Sequence, residues 1–524
     1  MGLAFTSLPF IGFLLLVFAL YYALPKKAQW PLLLLASLGF YACAGWVGLC
    51  YVAVTVTGAY LAARRIDTLQ QKQKAYVAQR REEMSREARK EYNSAQKKRQ
   101  RAWLLLGMLL GFGQLATVKL LGALAGAEAP GWNTVRFDAI AFLGISFYTF
   151  RIMGYLIDVY WGKARAQRNP LKLALFTLFF PQVLQGPISR YQELSATLFQ
   201  PHKFDWALVS SGMQRVVWGY CKKLLIADRL QQPVHFLTQT PGEYSGLFSL
   251  FAMLVYAAQL YCDFTGGMDI ALGIGQMFGV ELEENFRSPF RSRNIFDYWR
   301  RWHITMGTWF RDYVFYPISV AKPLQALTAK AKRRFGPALS RRLPVYAATL
   351  VTWFVTGIWH GLAWNFIVWG LMNGIVILIS QELRPVYEKF HNRFRHMEGR
   401  TYDAFQVART FLLMAFIRAF DIYRNVPLTF RQFGSVVLRP QLGAFLRGQG
   451  SALSPIDPTQ WLGLAWQDWL VAGLGLCLVI AAPWFRRPSK RPPALFWCAL
   501  ALAILVFGAY GLGFDAADFI YTRF

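Results

Sequence analysis

Apolar stretches of about 20 residues recur along the whole 524-residue chain, and polar stretches separate them. Each apolar stretch is long enough to cross a hydrocarbon core of about 30 Å as an α-helix. The first, residues 8–24, has no basic residue before it and no small-residue cleavage site after it. We therefore interpret it as a retained anchor and not as a signal peptide. The pattern predicts an all-α, polytopic transmembrane helical bundle of about 11 spans plus broken or re-entrant segments.

The regular pattern fails in one long region and in one shorter one. We predict spans at 5–24, 30–44, 46–63, 102–126, 137–161, 401–423, 466–485 and 494–513, with a rise and return inside 343–383. Between residues 171 and 320 short apolar pieces alternate with Pro, Gly and charge. Broken backbone is tolerated at membrane depth only where protein buries it or a wet cavity adjoins it, so we expect the site there. Residues 424–465 are expected to form an outer loop.

Charge then sets the topology. The formal charge of +29 would suggest nucleic-acid binding in a soluble protein, but here the basic residues lie between spans. Residues 64–101 hold 13 Lys and Arg against 5 Asp and Glu, and 322–342 hold 7 with no acid. We assign both, with "RRPSKR" (486–491), to the cytoplasm, which puts the N-terminus and the C-terminus on the extracytoplasmic side. We expect contact with anionic lipid and no nucleic-acid partner.

One titratable residue lies inside an apolar run, in "TGIWHGLAWNF" (356–366). An ionisable side chain at membrane depth is costly and is usually retained for function. The leg before it, residues 345–358, would span only about 21 Å, so we expect the turn that carries His360 to lie within the membrane. The six cysteines form no CxxC pair, and the spacing of Asp263 and Asp269 does not make a metal site, so we propose no metal.

Five segments, taken in order, resemble one family, the membrane-bound O-acyltransferases (MBOAT). They are similar to its bacterial cell-envelope branch, which includes alginate and peptidoglycan O-acetyltransferases. The segments are "GISFYTFRIMGYLIDVY" (144–160), "FFPQVLQGPISR" (179–190), "QLYCDFTGGMDIALGIGQMFG" (259–279), "FDYWRRWHITMGTWFRDYVFYP" (296–317) and "GIWHGLAWNFIVWG" (357–370).

The resemblance implies transfer of an acyl group, acetyl in this branch, from a cytoplasmic donor to hydroxyls of an extracytoplasmic envelope polysaccharide. The donor substrate would be acetyl-CoA or another acyl thioester, with no bound cofactor. The location would be the bacterial cytoplasmic (inner) membrane, and the partner an SGNH-type transferase outside it. His360 matches the family's catalytic histidine, a general base. His303 matches a second histidine, with catalysis, lining of the acyl path and a structural role all open.

Further residues follow from the same segments. The resemblance suggests a substrate path, although each aromatic residue also suits an interfacial belt: Trp299, Arg300, Arg301, Trp302, Trp309, Arg311, Asp312, Trp359 and Asn365. Motif positions expected to be structural are Asp158, Pro181, Pro187, Asp263 and Asp269. The predicted organisation is N-terminal spans at 1–63, a basic segment at 64–101, an MBOAT-fold catalytic core at 102–383, a span with an outer loop at 384–465, and a two-span hairpin with a tail at 466–524.

The tail "FIYTRF" (519–524) resembles the C-terminal F-x-Y-x-x-F motif of envelope acylation systems. That resemblance implies that Tyr521 carries the acyl group transiently. A phenol with a pKa of about 10 is a better leaving group than a sugar alcohol, so its ester would suit a second transfer. The alternative is an aromatic anchor at the membrane surface. Two other functions remain open: D-alanyl transfer to teichoic acid, and a proton-coupled transporter or flippase.

Overall fold

The computed structural model describes residues 4–43, 45–126, 144–394, 399–448, 459–485 and 492–510. The chain divides into two compact units, each described here by itself. The first unit comprises the residues up to Met213 together with Ala271–Glu283. The second comprises Gln214–Ile270 and the described residues from Glu284 onward.

Helices build the first unit. They are α1 (Leu8–Ala23), α2 (Gln29–Ala42), α3 (Trp46–Gln79), α4 (Arg86–Gly126), α5 (Ile145–Tyr160), α6 (Pro170–Leu178), α7 (Phe180–Val183), α8 (Tyr191–Leu198) and the first part of α9 (Trp206–Tyr220), with a 3₁₀ turn at Lys26–Ala28. Ser7 caps α1 and Asn169 caps α6, each followed at once by an apolar helix with proline in its first turn.

The basic segment at 64–101 is helical, but it is not a separate element. Helix α3 continues from its apolar part through the first half of this segment, and α4 begins inside its second half. A short turn at residues 80–85 joins them. The basic residues therefore lie on the polar end of one helical hairpin, which we call the basic arm (residues 64–101).

The motif around Pro181 and Pro187 is buried and held by a guanidinium. Arg151 of α5 donates from Nη1 to Gln182 Oε1 at 2.7 Å and from Nη2 to the Thr177 carbonyl oxygen at 2.7 Å. Both prolines and Asp158 are buried. Asp158 closes α5, where its carbonyl oxygen accepts from the backbone N–H groups of the following turn. These contacts are compatible with the expected structural role of the motif.

The second unit contains the rest of the helices and a two-stranded hairpin. The elements are a π-helical segment at Cys221–Ala227, α10 (Asp228–Gln239), α11 (Leu247–Met277), a 3₁₀ turn at Pro289–Arg291, α12 (Ile295–Arg301), α13 (Ile304–Phe310), a π-helical segment at Arg311–Phe315, α14 (Tyr316–Ser319), α15 (Lys322–His360), α16 (Trp364–Glu382), α17 (Arg384–Arg393), α18 (Arg400–Tyr423), α19 (Val426–Leu438), α20 (Leu442–Arg447), β1 (Gln460–Trp461), β2 (Leu464–Ala465), α21 (Trp466–Phe485) and α22 (Ala494–Phe507). The last residues of α11 belong to the first unit.

Two predictions about regularity were wrong. The glycine-rich stretch at 259–279 lies mostly within α11, a continuous helix of 31 residues, and is not a broken segment. Its glycines are used for close helix packing: a Cβ on Gly266 would lie 2.9 Å from the Gly219 carbonyl oxygen. The region 424–465 is not simply a loop, because it contains α19, α20 and the β1–β2 hairpin. Elsewhere between 171 and 320 the short helices agree with the broken pattern.

Among the described residues, five helices are long and apolar enough to cross a membrane. They are Trp46–Gln79, Arg86–Leu121, Leu247–Met277, Trp364–Glu382 and Trp466–Pro483, and two shorter apolar helices are Leu8–Ala23 and Ala494–Phe507. The helices support an all-α membrane protein, and the count of about 11 spans stays a prediction.

Candidate functional site

His360 is the last residue of α15, and a three-residue turn leads from it to α16. Helix α15 kinks at Gly336, whose φ of 84° lies in the left-handed region, and then runs to His360, about 36 Å at 1.5 Å per residue. The helix thus includes basic residues that precede the apolar leg at 345–358, and the depth of the turn in the membrane stays a prediction. The turn itself is where the sequence predicted it.

The two helices beside this turn pack at backbone distance. A Cβ on Gly357 would lie 2.6 Å from the Phe366 carbonyl oxygen, and one on Gly370 would lie 2.4 Å from the Trp353 carbonyl oxygen. Any larger side chain at either glycine would push the hairpin apart. The glycines of the "GIWHGLAWNFIVWG" segment thus hold the end of α15 against α16.

Aromatic rings surround His360, which is half-buried. The imidazole meets Trp359 and Trp369 edge-on, with ring centroids 4.7 and 4.6 Å away, and it stacks near Phe366 at 6.3 Å. The Trp359 ring also lies 6.1 Å from the ring of His303. One indole therefore contacts both predicted histidines. We call His303, His360, Trp359, Trp369 and Phe366 the histidine cluster.

His303 lies between α12 and α13 in a left-handed backbone conformation, with φ 51° and ψ 50°. A non-glycine residue in this region is uncommon and marks a position that the surrounding structure dictates. The side chain is buried against Phe264 of α11 at 5.0 Å, and its Nδ1 lies 3.2 Å from Asn285 Nδ2. This local backbone turns the imidazole into the packed interior of the unit.

The hydrogen bonds of Asn285 determine which ring nitrogen of His303 carries the proton. Asn285 Oδ1 accepts from the backbone N–H of Thr305 at 2.9 Å and from its hydroxyl at 3.0 Å. The Nδ2 group then faces His303, and since it only donates, Nδ1 is the acceptor. The neutral imidazole carries its proton on Nε2. His303 lies outside the long apolar helices, and its burial, with the charge of Arg418 second, lowers its pKa to about 3.

The cation that contacts the aromatic residues of α12 and its end is Arg418 of α18, more than 100 residues further along the chain. The guanidinium carbon of Arg418 lies 4.1 Å from the centre of the Trp302 ring, and its Nη2 donates to the Tyr298 hydroxyl at 3.1 Å. The Tyr298 ring stacks on Trp302 at 5.7 Å. The sequence predicted Arg300 and Arg301 as substrate-path residues in this region, and it missed Arg418 because only the fold brings α18 to α12.

The other predicted path residues separate into packed and exposed groups. Trp299 contacts Trp369 at 6.0 Å, and Trp309 is buried. Asn365 donates to the Phe420 carbonyl oxygen at 3.2 Å and so ties α16 to α18.

Four charged residues of the same set are arranged differently. Arg300 and Arg311 are exposed. Arg301 pairs with Asp297 at 2.8 Å, and Arg311 pairs with its neighbour Asp312 at 2.8 Å. These ion pairs are local to their own helical segments, whereas the tryptophans extend to the histidine cluster.

A second buried group of polar residues lies between the π-helical segment and α11. Lys223 Nζ pairs with Asp263 at 2.6 Å and with Asp228 at 2.8 Å. Lys222 Nζ pairs with Asp269 and also donates to Thr265 Oγ1 at 2.8 Å. We call these two lysines and three aspartates the lysine network. Arg215 joins it by donating from Nε to Asp269 at 2.9 Å.

The sequence contained a signal for the lysine network. Two adjacent lysines interrupt an apolar run in "YCKKLLIA" (220–227), and two aspartates interrupt another, which at membrane depth predicts pairing. The expected structural role of Asp263 and Asp269 fits their place in it. Among the described residues no group of three or more His, Cys, Asp or Glu is placed to hold a metal ion.

Comparison with known proteins places these two regions. The model of the membrane-bound O-acyltransferase family matches residues 162–329 and 333–423, which include both histidines of the cluster and the whole lysine network. The chain belongs to the membrane-bound O-acyltransferase family. With its apolar helices, it is a multi-pass membrane protein.

Three MBOAT relatives differ in the acyl group and the acceptor that their names give. A probable alginate O-acetylase of Pseudomonas fluorescens is 31% identical over 336 residues, covering 64% of this chain and 60% of that protein. A peptidoglycan O-acetyltransferase of Helicobacter pylori is 29% identical, covering 56% and 57%. A teichoic acid D-alanyltransferase of Bacillus subtilis is 28% identical, covering 55% and 70%. The chain thus spans about three-fifths of the length of the first of these relatives.

The MBOAT match does not include every predicted site residue. Asp158 precedes the matched residues and Tyr521 follows them. Tyr521 also lies outside the described residues, so the predicted carrier tail stays a prediction.

Proposed function

We propose that this MBOAT protein is an O-acetyltransferase of the bacterial inner membrane that serves an extracytoplasmic polysaccharide. The observation that carries the proposal is the pairing of two histidines on one indole, the half-buried His360 and the buried His303 on Trp359. Both lie inside the family-matched residues. The names of the alginate and peptidoglycan relatives support acetyl as the transferred group.

His360 is proposed as the general base. A half-buried imidazole at a helix end can reach a hydroxyl, and imidazole is the side chain most often used as a general base near neutral pH. The hydroxyl oxygen attacks the carbonyl carbon of the acyl thioester, and the carbon–sulfur bond breaks. His360 takes the hydroxyl proton and returns it to the departing thiolate, so charge and protons balance.

His303 is proposed to assist as a donor and not as a second base. In its assigned tautomer Nδ1 accepts from Asn285, so the group it offers is the Nε2–H. A neutral imidazole N–H suits a carbonyl oxygen that gains negative charge during the attack. Two nearby histidines can then perform different tasks because only one of them is half-exposed.

The tryptophans are proposed to keep water away from the reacting thioester. Trp359 and Trp369 cover two sides of His360, and Trp299 extends this apolar surface. Exclusion of water would limit hydrolysis of the thioester in competition with transfer. The exposed ion pairs of Arg301 and Arg311 are proposed to stabilise the segments that carry the tryptophans.

Tyr521 is proposed as the first acceptor. Its phenol oxygen would take the acetyl group from the donor, and the resulting aryl ester would pass it to a sugar hydroxyl, directly or through an extracytoplasmic SGNH-type transferase. The phenolate is a better leaving group than an alkoxide, which favours the second step. This assignment requires both termini on the extracytoplasmic side, as the charge pattern predicts.

The test is mass spectrometry of the C-terminal peptide from the purified full chain after incubation with acetyl-CoA. We expect an acetyl increment on Tyr521 in the parent chain and none in His360→Ala. His391→Ala, at another half-buried histidine, and Tyr510→Phe, at another tyrosine of the C-terminal region, serve as matched controls and should keep the increment. Polymer acetylation in cells should be lost with Tyr521→Phe.

Each outcome decides a different step. Polymer acetylation that persists in Tyr521→Phe would overturn the carrier and leave direct transfer at His360. Full acetylation in His360→Ala would overturn the general base. The B. subtilis relative supports one second candidate, D-alanyl transfer to teichoic acid. An alanyl increment on Tyr521, with D-alanyl carrier protein as donor, would favour it.

A further inference from the structure

The basic arm contains a cavity that the proposed acyl transfer does not use. It lies between the polar ends of α3 and α4 and has a volume of about 510 Å³. Its lining residues are Gln70, Gln73, Lys74, Val77, Ala78, Arg81, Arg89 and Asn93. Ligand sites in proteins commonly have volumes of about 300–1,000 Å³, so the size suits a small-molecule head group.

The lining is positive and contains no carboxylate. Lys74, Arg81 and Arg89 supply three cations, and no ion pair joins any of them to another group in the part of the chain that the structure describes. By contrast, the buried lysines of the second unit are each paired with aspartate. Three cations around one cavity without a counter-charge favour an anion there. Guanidinium and ammonium groups together are typical of phosphate recognition.

The walls of the cavity are fixed by contacts between the two helices. Gln73 Nε2 donates to Asn93 Oδ1 at 2.6 Å, and Gln100 Nε2 donates to Gln73 Oε1 at 2.7 Å. The rings of Tyr76 and Tyr92 stack with centroids 4.4 Å apart. Because these contacts hold the helices before any ligand arrives, little ordering cost remains for binding.

The position of the cavity favours a soluble ligand over a lipid. At its inner end Gln70 Nε2 donates to the carbonyl oxygens of Val159 and Tyr160, at 3.1 and 2.9 Å, where α5 ends in an aromatic pair typical of the membrane interface. Helix α3 runs about 14 Å further from Gln70 to Gln79, at 1.5 Å per residue, and Arg81 lies in the turn beyond that end. The headgroup layer is only about 5–8 Å thick on each side of the hydrocarbon core. A soluble phosphate compound can reach all three cations.

We propose that the cavity of the basic arm is a binding site for a phosphate-bearing ligand. Lys74, Arg81 and Arg89 bind the phosphate oxygens, and the side-chain amides of Gln70 and Asn93 line the remaining polar wall. Phosphate can come from a soluble nucleotide-type compound or from an anionic lipid headgroup. The geometry favours the first source, and the two arms of the experiment separate them.

The experiment uses the purified full chain in two arms. In the first, binding of ADP and of inorganic pyrophosphate is titrated in detergent at low ionic strength. In the second, the protein is reconstituted in nanodiscs with and without phosphatidylglycerol, and protection of the arm from proteolysis is measured. The pocket variant is Lys74→Gln/Arg81→Gln/Arg89→Gln. The matched control is Lys90→Gln/Lys97→Gln/Lys98→Gln, which removes equal charge from exposed positions of the same arm outside the cavity.

We expect saturable ADP binding that weakens by about tenfold or more in the pocket variant and by less than about threefold in the control. Lipid-dependent protection lost only in the pocket variant, without ADP binding, would retain the phosphate site and assign it to a headgroup. Equal weakening in both variants would overturn the proposal, because the arm would then attract anions only through its total charge. If the parent chain neither binds ADP or pyrophosphate nor shows lipid-dependent protection, the proposal is overturned as well. A parent-like melting temperature checks that each variant is folded.

Discussion

The histidine cluster and the lysine network both contact α11, yet their titratable groups lie in opposite kinds of surroundings. Phe264 packs on His303, and Asp263, the preceding residue, pairs with Lys223. In the network every charge is buried with an opposite charge. In the cluster the buried imidazole is neutral and the other, His360, stays half-exposed among rings. The buried charges between helices are paired, whereas the proposed general base lies among aromatic rings.

The largest expected effect is the loss of acetyl-transfer activity when His360 is replaced. His360→Ala should lower acetyl transfer by about 10²–10⁴-fold, the usual contribution of a general base. Its melting temperature should stay close to that of the parent, because the ring is half-exposed and the hairpin is held by Gly357 and Gly370. The measurement pairs acetyl-transfer kinetics with thermal unfolding in detergent. A large loss of stability with little loss of rate would show that His360 is a structural residue. The histidine cluster would then not differ from the lysine network in this respect.

Changes in the lysine network should instead lower the stability of the protein. Lys223→Met leaves Asp228 and Asp263 buried without their cation, which typically costs about 3–5 kcal/mol. Thermal unfolding should reveal this as a marked fall in melting temperature. Adding Asp228→Asn and Asp263→Asn to Lys223→Met should recover most of it, because the uncompensated charges are removed. If the triple variant is no more stable than the single one, the lost packing of the lysine stem explains the effect instead.

A smaller effect is expected at His303, and it concerns pH. Since burial lowers its pKa to about 3, below the ordinary 6.5, His303 is neutral at every pH above about 4. Any fall of the acetyl-transfer rate at acid pH should therefore persist in His303→Gln, which keeps a donor N–H. His303→Ala should be slower than His303→Gln by about tenfold, since it loses the donor. Loss of the acid limb in His303→Gln would assign the titration to His303 after all.

The smallest effect is expected at an exposed ion pair of the same unit. Arg293 and Asp403 pair at 2.7 Å, with side chains 57% and 42% exposed. Such pairs contribute about 0–1 kcal/mol, so Arg293→Ala should shift the melting temperature barely beyond error and leave the rate unchanged. If Arg293→Ala lowers the melting temperature as much as Lys223→Met does, burial does not determine how much an ion pair contributes to stability.

Sequence reasoning located the histidines but not their neighbours. His360 was visible because a titratable residue stood out from an apolar run, whereas His303 was identified by the resemblance to the MBOAT family. Arg418 and Asn285 were not, since each is an ordinary polar residue until the fold places it beside Trp302 or His303. The glycine-rich stretch was misread because glycine signals either a break or a close approach, and only the neighbouring helix decides which.

By itself the sequence determined the class of the protein, the basic arm, the turn that carries His360 and the family to which the chain belongs. Those features depend on local hydrophobicity, charge and short motifs. The tertiary structure alone decided that Trp359 touches both histidines, that Asn285 assigns the proton of His303, that Lys222 and Lys223 meet the aspartates of α11, and that three cations of the arm surround one cavity. Such contacts join residues far apart in the chain, and no local pattern specifies them, because they arise only when helices pack.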